Sequence, residues 1–252
     1  MGLLKRLDGR RAVITGAGSG MGQAAARLFA AEGARVALLD VDAPAIAALA
    51  DEIGAAALAI TTDVTDEVQV EAAVAAAVEA FGGLDTVVAN AGVQLAGQDD
   101  RADRLSLEVW RRTIDINLTG QFTVCKHGLR ALMANGGGAV VCTASPTGQY
   151  GVAPGYDAYS ASKGGVYALI RVMAADYARL GIRVNGVIPG YMDTPMTDWV
   201  DAEEQRRLLV SVPLGRAGRA EEIAPVMLFL ASDEASFVTG AVWAADGGMT
   251  CV

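Results

Sequence analysis

The chain has 252 residues, of which 52% are hydrophobic, and a formal net charge of −9. That length suits one domain spanning 1–252. The acidic balance argues against a nucleic-acid partner, which needs a basic face, and charges interrupt the apolar runs before the roughly 18 residues a membrane span requires. The first residues lack the apolar stretch of a secretory signal, so a cytoplasmic protein is expected. Cys125, Cys142 and Cys251 are scattered and odd in number; neither a disulfide nor a metal site is expected from them.

Short runs rich in Val, Ile and Ala alternate with segments of helical period along the whole chain. Strands are predicted at Arg11–Thr15, Arg35–Asp40, Ala56–Thr61, Thr86–Ala89, Ala139–Thr143, Arg183–Ile188 and Ala241–Ala244. Helices are predicted at Gly20–Glu32, Pro44–Ile53, Glu67–Phe81, Glu108–Met133, Ala158–Leu180 and Ala220–Leu230. Such alternation is the mark of repeated βαβ units. The expected fold is α/β: a single doubly wound, Rossmann-type domain with a parallel sheet of about seven strands and helices on both faces.

The first strand runs into Gly16-Ala17-Gly18-Ser19-Gly20-Met21-Gly22 at the start of a helix. Small residues there let backbone N–H groups approach a pyrophosphate. The glycines follow G-x-x-x-G-x-G and not the stricter G-x-G-x-x-G. Asp40 ends the second strand, 18 residues after Gly22, where a carboxylate accepts hydrogen bonds from ribose hydroxyls and repels a 2′-phosphate; this favours NAD. Asp42 is free to cap the helix that follows. Asp63-Val64 and Asn90-Ala91-Gly92 also follow strands and therefore lie at the carboxyl edge where ligands bind. Asp63 is a candidate for adenine, and Asn90 either lines the cofactor or ties the loop to its neighbours.

Tyr159 and Lys163 stand four residues apart on one predicted helix, so they share a face. A nearby ammonium stabilises a phenolate and brings it within reach of proton transfer. The fifth strand runs out into hydroxyl-bearing residues, and Thr143, Ser145 and Thr147 compete to hold a substrate oxygen. Ser145 is preferred because Gly148 completes a Ser-x-x-Gly pattern. Asn117 is a polar residue in an amphipathic run, and a surface amide is its plain reading. His127 has no partner motif and reads as structural.

Taken jointly, Thr15, the glycine loop, Asn90–Gly92, Asn117, Ser145, Tyr159 with Lys163, Pro189-Gly190 and Asp246-Gly247-Gly248 make the chain resemble the short-chain dehydrogenase/reductase family. The resemblance implies a hydride transfer between a nicotinamide cofactor and a small-molecule secondary alcohol or ketone. It implies Tyr159 as general acid or base, Lys163 lowering its pKa and holding the nicotinamide ribose, Ser145 orienting the substrate oxygen and Asn117 supporting a relay water. Pro189, Gly190 and Thr194 would line the nicotinamide. A homo-oligomer, tetramer or dimer, is implied as well, with Trp243 in a terminal strand that relatives bury between subunits.

Two departures stand out. Ser145 and Tyr159 are 14 residues apart, one more than in many relatives, which suggests an insertion in the loop 149–156. The stretch 134–138 and Leu180 lack the basic residues that the family's acyl-carrier-protein reductases carry, so no docking patch for an acidic carrier is evident. Substrate contacts are expected from the segment 191–215, where Tyr191, Met192, Met196 and Trp199 form either a lid or a packed helix. The alternative reading, a catalytically silent NAD-binding regulatory or scaffold protein, would show a broken Tyr/Lys/Ser set, and here the set is whole.

Overall fold

The structure, a computed structural model, describes residues 5–150, 153–198 and 200–251, apart from the side chain of Glu204. Trp199, expected in the lid, and Gly151 and Val152 of the expected loop lie outside the described residues. In chain order the elements begin β1 (Arg11–Thr15), α1 (Gly20–Ala31), β2 (Arg35–Asp40), α2 (Ala43–Ile53), β3 (Ala57–Thr61), α3 (Glu67–Phe81) and β4 (Thr86–Ala89). They continue with α4 (Leu107–Ile114), α5 (Gly120–Ala134), β5 (Gly138–Thr143), α6 (Pro146–Tyr150), α7 (Asp157–Tyr177) and β6 (Ile182–Pro189). The last are β7 (Met192–Asp193), α8 (Ala202–Val210), β8 (Gly218–Arg219), α9 (Ala220–Ala231) and β9 (Val242–Ala245). Each of the seven expected strands forms, displaced by at most one residue at either end.

The seven strands make one parallel sheet in the order β3-β2-β1-β4-β5-β6-β9. Because the sheet is covered on both sides, alternate strand residues are all apolar but face different layers. Ala12 and Ile14 pack with Phe29, Ile46, Leu49 and Met227 of α1, α2 and α9. Val13, between them, packs with Val74, Leu129, Leu132 and Ile170 of α3, α5 and α7. Fully burying a side chain of this size contributes about 1.5–3 kcal/mol. Among the described residues no helix is long and apolar enough to cross a membrane.

The helix expected over Glu108–Met133 is broken. Between α4 and α5 lies a π-helical turn, Asp115–Thr119, whose extra residue widens the coil. That turn carries Asn117 into the interior, fully buried, which overturns its reading as a surface amide. The segment 191–215 is also more structured than a loop. β7 pairs in parallel with β8, a 3₁₀ turn spans Pro195–Thr197, and α8 follows.

Candidate active site

Strand order reverses between β1 and β4, and in open α/β sheets that is where the crevice for a ligand opens. Thr15 at the end of β1 ties the two sides together: its Oγ accepts from the backbone N–H of Asn90 at 3.0 Å and of Ala91 at 3.1 Å. Asn90 answers by donating from Nδ2 to the Thr15 carbonyl at 3.1 Å and accepting from the Thr143 hydroxyl at 3.0 Å. Its side chain thus cross-links the ends of β1, β4 and β5, so it serves as the tie while also lining the groove.

The glycine loop is packed too closely for side chains. A Cβ on Gly22 would collide with the Gly16 carbonyl oxygen, and Gly16 holds a φ of +66° that L-residues rarely adopt. Ser19 precedes α1 without capping it through its side chain, leaving first-turn N–H groups for an anion. Asp40 accepts from the Gly18 N–H at 2.9 Å and from Asp42 N–H at 3.0 Å, while Asp42 caps α2 through the Ala45 N–H at 3.0 Å. Capping is therefore done by Asp42, and Asp40 stands on the groove wall. Asp63 accepts from the backbone and hydroxyl of Thr65 at 2.9 and 2.8 Å.

Gly16, Ser19, Gly20, Met21, Asp40, Asp63, Val64, Ala91, Gly92 and Thr194 meet in one groove of about 710 Å³. Gly18 and Gly22 do not line it; they let the loop fold against Asp40 and Gly16. Arg112 of α4 and Asp115 of the π turn also enter the lining, and neither lies near a strand end in the sequence.

The groove shares Met21, Asn90, Gly92 and Thr194 with a second cavity of about 330 Å³, which Ser145, Tyr159, Lys163, Pro189 and Gly190 line. Lys163, buried, donates from Nζ to the Thr143 carbonyl at 2.9 Å, and Nζ sits 5.8 Å from the centre of the Tyr159 ring. Burial pulls the ammonium down to about 8. Burial also raises the Tyr159 phenol above its ordinary value, and a hydrogen bond with Ser145 opposes that rise. The lowering of Tyr159 expected from Lys163 is not what governs the phenol among the protein's own groups: burial raises it, because a ring removed from water resists ionising, and Ser145 opposes the rise.

Of the three hydroxyl candidates, Ser145 is the one that hydrogen-bonds Tyr159, as expected. Pro146 opens α6, where a missing N–H costs nothing. Gly148 lets α6 lie on α7, since a Cβ there would run into the backbone of Lys163 and Gly164. The expected loop from Gln149 therefore starts inside a helix. Ser145 Oγ also lies 3.2 Å from the Thr147 hydroxyl, and all three candidates from the sequence, Thr143, Ser145 and Thr147, line the cavity. Asn117 accepts from Val93 N–H at 2.7 Å and donates to the Val93 carbonyl at 2.8 Å and to Ser162 at 3.2 Å. Its side chain is committed to the substrate-side loop and to α7. His127 donates from Nε2 to the Glu67 carboxylate at 3.1 Å, a structural contact. Cys125 and Cys142 are distant in sequence yet their buried sulfurs lie 3.9 Å apart, both free.

Three features of known proteins match this arrangement. The family profile described as Enoyl-(Acyl carrier protein) reductase aligns with residues 16–250. The chain is 46% identical to cis-4-hydroxycyclohexanecarboxylate dehydrogenase of Sinomonas cyclohexanicum, over 96% of this chain and 97% of that one. It superimposes on a short-chain type dehydrogenase/reductase from Mycobacterium marinum with a TM-score of 0.93 at 37% identity, covering 99% and 98% of the two chains. The chain belongs to the short-chain dehydrogenase/reductase family. As such it is a hydride-transferring oxidoreductase that acts on CH–OH groups with a nicotinamide cofactor. Cyclohexanol dehydrogenase of Acinetobacter sp. (strain SE19), at 40% identity over 97% of this chain and 96% of that one, and levodione reductase, at TM-score 0.93 and 36% identity over 98% of this chain and all of that one, are similar too. The glycine cradle, the uncapped start of α1 and the groove continuous with Tyr159 fit a dinucleotide.

Proposed function

We propose that this short-chain dehydrogenase/reductase is an NAD-dependent dehydrogenase of small, uncharged secondary alcohols, alicyclic ones foremost. The observation that carries the reading is the convergence of Tyr159, Ser145 and Lys163 on a cavity opening into the dinucleotide groove. Gly16, Ser19, Gly20 and Met21 hold the pyrophosphate on a loop that Gly18 and Gly22 allow to fold, Asp40 binds the adenosine ribose, and Asp63 with Val64 borders adenine. Asn90, Ala91 and Gly92 line the middle of the cofactor, and Pro189, Gly190 and Thr194 the nicotinamide. A bound nicotinamide dinucleotide supplies the hydride acceptor. Ser145 holds the substrate oxygen, Tyr159 takes its proton, Lys163 offers the countercharge to the phenolate and binds the ribose, and Asn117 supports the relay of the proton to water.

Among the described lining residues of the catalytic cavity Lys163 is the one charged side chain. A substrate carboxylate would find no cation there beyond Lys163, which is already bonded to the Thr143 carbonyl, at a cost of several kcal/mol. The dehydrogenases of cyclohexanol and of hydroxycyclohexanecarboxylate thus make a discriminating pair of substrates. Offered cyclohexanol and 4-hydroxycyclohexanecarboxylate with NAD and NADP separately, the enzyme should reduce NAD with cyclohexanol at the higher kcat/KM. Equal or faster turnover of the carboxylate, or a preference for NADP, refutes the corresponding half of the reading. The whole chain would act as one cytoplasmic catalytic domain. Assembly as a homo-oligomer is supported by the edge strand β9, where Trp243 stacks on Phe229 with 4.9 Å between ring centres and stays 42% exposed; light scattering tests it.

A further inference from the structure

The first turn of a helix leaves backbone N–H groups that need acceptors. α7, which carries Tyr159 and Lys163, starts after Tyr156, whose side chain provides no cap. The acceptor comes from elsewhere in the chain. Asp99, in the connection between β4 and α4, accepts from the Ala158 N–H at 3.1 Å through one carboxylate oxygen and from the Tyr159 N–H at 2.9 Å through the other. The side chain is only 8% exposed. A carboxylate there also sits at the positive end of the helix, a stabilising place for it.

The same connection forms a wall of the catalytic cavity through Val93 and Gln94. Its near end is held at Val93 by both polar atoms of Asn117, at 2.7 and 2.8 Å. Its far end is held at Asp99 by the amides of Ala158 and Tyr159. Asn117 in turn donates to Ser162, whose hydroxyl donates to the Tyr159 carbonyl at 2.7 Å. The wall facing the substrate and the turn bearing the proton-transfer group are therefore pinned to each other at two points.

We propose that Asp99 is a positioning residue: it latches the substrate-side loop 93–99 onto the turn of α7 that carries Tyr159, so that wall and phenol keep a fixed separation. The inference rests on the reading of Tyr159 as general acid or base. An ångström of misplacement at a reacting group costs up to about a hundredfold in rate, whereas the cofactor groove takes only Val93 from this loop, at the end that Asn117 holds, and draws its other walls from elsewhere.

The test uses Asp99→Ala and Asp99→Asn in the full-length protein. NADH titration first counts folded sites, and hydrogen exchange is followed with NADH bound. Both variants should bind NADH within about twofold of the wild type, and exchange should quicken together at Ala158–Tyr159 and across 93–99, more in the Ala variant than in the Asn variant, which keeps one acceptor. Faster exchange confined to α7 would make Asp99 a helix cap alone and overturn the latch. With cyclohexanol or 4-hydroxycyclohexanecarboxylate, whichever turns over, Asp99→Ala should lower kcat per site about 10- to 100-fold, and this loss should largely vanish in a Tyr159→Phe background. Additive losses would overturn the proposal, because a merely structural residue acts independently of the phenol. If Tyr159→Phe itself keeps a near-native rate, the acid/base reading fails while the exchange result still judges the latch.

Discussion

On the cofactor side of the cleft, most of the wall is built from short stretches at the ends of strands: 16–21 after β1, Asp40 at the end of β2, 62–65 after β3 and 90–93 after β4, with Arg112, Asp115 and Thr194 added from elsewhere. The substrate side borrows instead from α6, α7, the β4–α4 connection and the covering segment of β7 and α8. The first side recognises through backbone and small residues, because a pyrophosphate needs close N–H groups and little else. The second recognises through side chains that long connections bring together, so its chemistry depends on how distant segments are fastened.

The largest effect expected from this division is on the substrate side. Tyr159→Phe removes the proposed proton acceptor and should cut turnover by about 10²–10⁴-fold while NADH binds within about twofold of wild type, as fluorescence titration would show. Equal loss of binding and turnover would erase the division. The converse change is Gly22→Ala, which forces a methyl group into the Gly16 carbonyl. Overpacking of this kind costs about 1–3 kcal/mol, and NADH affinity should fall by about ten- to a hundredfold, with kcat at saturating cofactor the lesser casualty.

A smaller shift tests Asp40. Asp40→Asn removes the charge proposed to repel a 2′-phosphate, and the ratio of kcat/KM for NAD over NADP should drop about tenfold or more, a change of roughly 1.4 kcal/mol. No change would move cofactor choice to another residue of the groove, with Arg112 the first to try.

The smallest effect is on stability and concerns the buried Lys163. Its ammonium is held down to about 8 from the usual 10.5. Between those values the unfolded chain binds more protons than the folded protein, so stability rises with pH across that window and the full cost is present below pH 8. Lys163→Met removes the buried charge but leaves the Thr143 carbonyl one donor fewer. The variant should be inactive yet more stable than wild type by about 1–2 kcal/mol at pH 7, with the gain shrinking toward pH 10. Urea denaturation at the two pH values measures both; a gain that grows with pH would contradict the sign.

Most residues of the cofactor side were legible because they follow recognisable strands, which announce themselves as continuous apolar runs; Arg112 and Asp115, which follow none, were not. Asp40 and Asp42 were separable by position alone, one at the strand end and one before Pro44. Asn117 was marked as polar and out of place, but its burial hangs on a π turn that hydrophobic periodicity does not reveal. Asp99 left no mark at all: an aspartate in a polar stretch of Gln98, Asp99 and Asp100 looks like any solvated loop, and its partners lie 59 and 60 residues away.

By itself the sequence determined the alternation of strands and helices, the glycine cradle, the carboxylate at the end of β2 and the Tyr159/Lys163 pair, since each depends on local spacing and on which residues tolerate close backbone approach. Only the tertiary structure decided that Ser145 among the three hydroxyl candidates meets the phenol, that Cys125 and Cys142 are neighbours, and that Asp99 reaches the turn of Tyr159. Those outcomes depend on how far-apart segments pack, and packing is settled by the shape of the whole core rather than by any stretch within it.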